Sequence, residues 1–100
     1  MTPQELIQYT KSISNNYFIC LNQIHENKFS ETDGVQMSSP FYKYYMDVEL
    51  AFSKLCKPFR KIINNEFFYQ SYPGWWKPFY PEDLFNKVKQ IAIKEFVEAF

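Results

Sequence analysis

Residues 71–100 read SYPGWWKPFYPEDLFNKVKQIAIKEFVEAF, and this stretch decides the fold. Its first half, Ser71 to Tyr80, is broken by Pro73, Gly74 and Pro78 and crowded with aromatic rings, which predicts a stiff turn. Its second half, from Pro81 to Phe100, carries no helix breaker. There Phe85, Val88, Ala92, Phe96 and Ala99 recur at helical spacing, with Asn86, Lys87, Gln90 and Lys94 on the other side. The reading is an amphipathic terminal helix fed by an aromatic turn.

Working back along the chain, prolines stand where further helices should begin. Pro3, Pro40, Pro58 and Pro81 suit the first helical turn, where a missing N–H costs nothing. Thr2 and Ser39 precede two of them as N-caps. The first helix should run over 3–25, with Leu6, Ile13, Tyr17, Leu21 and Ile24 on its apolar side and a weak point at Asn15–Asn16. Asn27 to Ser39, containing SETDG, reads as a polar loop. A second helix over 40–56 shows Phe41, Tyr44, Tyr45, Val48, Phe52 and Leu55 in register. Pro58 either bends that helix or breaks it; the break is the simpler reading and starts a third helix over 58–69. That helix turns Phe59, Ile62, Ile63 and Phe67 inward. The expected fold is all-α: four helices, about 3–25, 40–56, 58–69 and 81–99, in a single domain spanning 1–100.

Bulk composition agrees. A chain of 100 residues with 46% hydrophobic and 21% aromatic content has enough apolar surface to offset the entropy of ordering, so disorder is excluded. Only two glycines argue against a strand-and-turn fold. Formal net charge is zero, which disfavours a protein that coats nucleic acid without specificity. Residues 1–42 hold two bases and four acids; residues 43–100 hold nine and seven. Cys20 and Cys56 lie far apart among apolar neighbours, and no signal peptide opens the chain. They read as buried free thiols of a cytoplasmic protein. No apolar run approaches the roughly 20 residues of a membrane span.

Catalytic signals are weak. The single histidine, His25, closes a helix and suits an interaction with terminal carbonyls. Metal-ligand spacings, phosphate-cradling glycine loops and a nucleophile elbow are absent from the sequence. Glu82–Asp83 resembles a carboxylate pair, yet two acids in a first turn are explained by the helix dipole. No enzyme, cofactor, metal site or small-molecule substrate is expected.

Binding signals are stronger. Of Trp75 and Trp76, one should plug the gap between the last two helices. The other is either a second wall of that core or, with Tyr72, a partner-docking surface. Asn86, Lys87, Gln90 and Lys94 are residue types that read base edges or phosphates, though any solvated helix face has this look. Lys54, Lys57, Arg60 and Lys61 form a second basic cluster suited to phosphates.

From Leu50 the chain reads LAFSKLCKPFRKIINNEFF and then WWKPFYPEDLFNKVKQIAIKEFVEAF. This resembles the C-terminal helix-turn-helix of sigma factors (region 4) and of ArpU-type late transcriptional regulators of phages. Leu55, Arg60, Ile62 and Ile63 fit the first part of that pattern, and Leu84, Phe85, Lys89, Ala92 and Phe96 the second. The run is also similar to small sigma-like proteins of mollicutes. The resemblance implies a transcription-associated protein that meets DNA or RNA polymerase through a recognition helix over 81–100, using Asn86, Lys87 and Gln90. A second expectation, from the surplus of aromatics, is a helical protein–protein module, with a homodimer as one form and no nucleic-acid role.

Overall fold

The structure is a computed structural model that describes residues 2–26 and 40–100. The described residues form four helices, α1 (Pro3–Glu26), α2 (Pro40–Ser53), α3 (Lys57–Ile63) and α4 (Glu82–Ala99), with a π-helical turn, Asn64–Phe68, running on from α3. No strand occurs among the described residues. The fold is all-α, as the periodicity requires. The polar loop expected at Asn27–Ser39 and the Ser39 cap lie outside the described residues.

Helix α1 starts with a capping box. The Thr2 hydroxyl accepts from the Glu5 amide at 3.1 Å, and the Glu5 carboxylate accepts from the Thr2 amide at 3.4 Å. The helix then runs unbroken through Asn15 and Asn16, both of which face solvent. Its inner stripe is Thr10, Ile13, Ser14, Tyr17 and Cys20, at spacings of three and four. Two of these are polar, and each has its bond: Thr10 donates to the Leu6 carbonyl at 2.8 Å, and Ser14 donates to the carbonyl of Phe67.

Helix α2 ends at Ser53, three residues before the boundary read from sequence. The following turn buries Leu55 and leaves Cys56 extended as the cap of α3. Cys56 is therefore exposed, which corrects the expectation of two buried thiols; Cys20 alone is buried, and both are free. Pro58 does break the helix, sitting in the first turn of α3.

The third helix does not stay α-helical to residue 69. After Ile63 it widens into the π turn, and this loosening is tied down from three sides. Ser14 of α1 takes the Phe67 carbonyl, the Ser71 amide returns to the Asn65 carbonyl at 3.1 Å, and the Asn65 side chain donates to the Lys61 carbonyl at 2.9 Å. The widened turn aims Phe67 and Phe68 in succession at the core.

Side chains from every helix meet in one core. Ile13 and Tyr17 come from α1, Val48 and Ala51 from α2, Ile62 and Ile63 from α3, and Phe85, Ala92, Ile93 and Phe96 from α4. Helix α1 packs on α2 and α4, and α3 packs on α4. Tyr17 is the aromatic centre: it stacks on Tyr45 and meets Phe18 and Phe68 edge-on, all within 5.4 Å between centroids.

Candidate binding surfaces

The aromatic turn comes first, because it sets the angle between α3 and α4. Gly74 adopts φ +80°, which a residue with a Cβ enters only at a cost. Around it the backbone closes three short turns: Trp75 to Tyr72, Lys77 to Gly74, and Phe79 to Trp76. Both tryptophans then converge on Phe85 at the start of α4. Trp75 is buried and meets that ring edge-on at 5.9 Å; Trp76, half-buried, stacks flat on it at 4.5 Å. Of the two alternatives for the second tryptophan, the structure has it as a second wall of the core. Tyr72 is 67% exposed.

Glu66 in the π turn links these parts. Its carboxylate pairs with Lys89 of α4 at 3.0 Å and accepts from the Trp75 indole at 3.4 Å. Lys89, a match to the resemblance pattern, is thus engaged within the fold.

The polar residues singled out on the last helix, Asn86, Lys87, Gln90 and Lys94, are all exposed, opposite the buried Phe85, Ala92 and Phe96. They are not alone on that side. Leu84 and Ile91 are 48% and 51% exposed, seven residues apart and interleaved with the lysines. Beside them Pro3 and Leu6 of α1 approach, leaving a groove of about 440 Å³. Leu6, Ile91 and the buried Ile93 form its apolar part, with Lys87, Gln90 and Lys94 around it. The second stripe, Leu84 and Ile91, was legible as a seven-residue repeat; the approach of α1 was not.

Arg60 and Lys61 do not join that set. They lie with Lys57 in a separate cleft of about 770 Å³ between α3 and the turn, walled by Trp75, Phe79 and Tyr80. The Lys61 ammonium lies 3.9 Å from the centre of the Phe79 ring, a close cation–π contact.

Two acid–base features belong to the core. The Tyr17 hydroxyl donates to the Glu49 carboxylate at 2.7 Å, and burial together with that carboxylate pushes its pKa well up. Burial also raises the Cys20 thiol. His25 is exposed in the last turn of α1. Among the described residues no group of three or more His, Cys, Asp or Glu side chains is placed to hold a metal ion. No helix among them is long and apolar enough to cross a membrane. The chain matches no family model, no curated protein and no solved structure.

Proposed function

We propose that the chain is a non-enzymatic docking module, working in the cytoplasm, that engages a protein partner through the outer face of α4. The observation that carries this reading is the groove between α4 and the start of α1, with apolar Leu6, Ile91 and Ile93 inside and Lys87 and Lys94 beside them. An apolar strip flanked by two ammonium groups is complementary to an amphipathic helix with an acidic flank. The resemblance to sigma region 4 names RNA polymerase as the partner to test.

Duplex DNA is the second reading, favoured by the exposure of Asn86, Lys87, Gln90 and Lys94 on one helix. The charges on α4 weigh against it. Its three lysines (Lys87, Lys89, Lys94) face four acids (Glu82, Asp83, Glu95, Glu98), a net of −1, and Lys89 is paired to Glu66. Glu82 and Asp83 stand in the first turn, at the end a recognition helix brings to the bases. Exposed Ile91 finds a counterpart in a protein groove more readily than in a DNA groove. Self-association through Trp76 has less support, because its ring is stacked on Phe85.

Purified RNA polymerase and short random-sequence duplexes test the two readings together. Capture of the polymerase by the wild type, lost in Ile91→Asp, is the expected outcome. Duplex binding that is insensitive to Ile91→Asp, weakens steeply with salt and is lost in Lys87→Glu would replace it with the DNA reading. Binding to neither would overturn both.

A further inference from the structure

We propose that the cleft between α3 and the aromatic turn binds a nucleotide unit of a single-stranded nucleic acid, its phosphate held by Lys57, Arg60 and Lys61 and its base laid against Phe79. This is a different face from the α4 groove and stands or falls apart from it.

The first observation is charge segregation. The protein is neutral overall, yet residues 54–81 carry five bases and one acid. The acid, Glu66, is bound to Lys89 and Trp75. The cleft itself is lined by three cations and no carboxylate among the described residues. Confining like charges to one concavity raises their mutual repulsion, and a bound anion relieves it.

The second observation is an unsatisfied donor. The Arg60 Nε is shut off from solvent and has no hydrogen-bond partner among the described residues. Buried N–H groups are nearly always paired, and a charged one left unpaired is costly, so this guanidinium favours an anion beside it. With Nε enclosed, the terminal nitrogens of the guanidinium are the ones that can take a phosphate oxygen, in a fixed geometry.

The third observation concerns what lies beside the cations. Phe79 is 60% exposed, with the Lys61 ammonium 3.9 Å from its ring centre and Trp75 and Tyr80 in the wall next to it. Base stacking on an aromatic ring beside a cationic track is the way single strands are held without sequence preference. A duplex keeps its bases stacked internally and cannot offer them to Phe79. Free nucleotides share the same phosphate-plus-base chemistry, so strand length must separate the two sources.

The test is fluorescence-anisotropy titration of a labelled thymidine strand of about twelve nucleotides, within the range of lengths used by single-strand binders. The same sequence as a duplex and thymidine monophosphate serve as competitors. Lys57 and Phe79 are exposed, so their substitution spares the core. Phe79→Ala should weaken the strand about five- to hundredfold. Lys57→Gln should reduce the salt slope by about 0.7, the share of one single-strand phosphate contact. Ile91→Asp should change neither quantity. No binding at low salt, or binding indifferent to Phe79→Ala and equal for strand and duplex, would overturn the proposal. Displacement by the mononucleotide at concentrations matching the strand's own affinity would overturn the strand in favour of a free nucleotide.

Discussion

Tyr17 shows what one residue does when three elements close around it. Its ring stacks on Tyr45 of α2 and meets Phe68 of the π turn, while its hydroxyl donates to Glu49 at 2.7 Å. Burial first, and the Glu49 carboxylate second, hold the phenol neutral well above its ordinary pKa near 10. A folded value raised above the unfolded one gives stability that is complete below pH 10 and is lost as pH climbs beyond it. Urea titrations at pH 8 and pH 11 should therefore show a clear loss for the wild type. Tyr17→Phe should cost about 1 kcal/mol at pH 8, the worth of an ordinary hydrogen bond. It should also lose less between the two pH values, keeping only the smaller contribution of Tyr45, whose pKa burial also raises. Equal pH slopes for the two proteins would contradict this account. The sequence marked Tyr17 as an inward residue of the first helix; its partner Glu49 was hidden, because no local rule pairs residues 32 apart.

Among the elements, the turn from Ser71 to Tyr80 was the most legible and the π turn the least. Prolines and a glycine announce a turn, and Gly74 does take the left-handed conformation that only glycine enters freely. Gly74→Ala should cost roughly 1–2 kcal/mol, the penalty for a Cβ in that region. Gly74→Asn should be milder, because asparagine tolerates positive φ. Thermal melts followed by circular dichroism would rank the three proteins, and an unchanged melting temperature in Gly74→Ala would show the turn relaxing at no cost. The π turn was out of reach because NNEFF follows helical spacing closely enough to pass as a continuation of α3. What opens it is not local. The Phe67 carbonyl is taken by Ser14, 53 residues away, and Phe67 and Phe68 both gain core contacts from the extra residue per turn. Cys56 is a similar case: it follows the buried Leu55, but the chain is extended there to restart a helix, and the thiol is exposed.

At the scale of the whole molecule, the core is a single aromatic-rich cluster to which all four described helices contribute, and this predicts one cooperative transition. Phe96 is fully enclosed and meets Phe68 edge-on. Phe96→Ala should cost about 3–5 kcal/mol, a large part of the roughly 5–15 kcal/mol that holds such a domain together. Tryptophan fluorescence, which reports the turn, and circular dichroism, which reports the helices, should give coincident midpoints, both shifted down. Separate midpoints would mean that α1 and the α3–α4 half unfold independently. By itself the sequence determined the all-α class, the places of the four helices, the breaks at Pro58 and Pro81 and the exposure of Asn86, Lys87, Gln90 and Lys94. Each follows from proline chemistry or helical period, which act over a few residues. Only the tertiary structure decided that both tryptophans clasp Phe85, that Arg60 and Lys61 share a cleft with Phe79 rather than a face with Lys87, and that α1 lines the groove beside α4. Those arrangements come from packing between segments far apart in the chain, where shape and buried area govern and local pattern is silent.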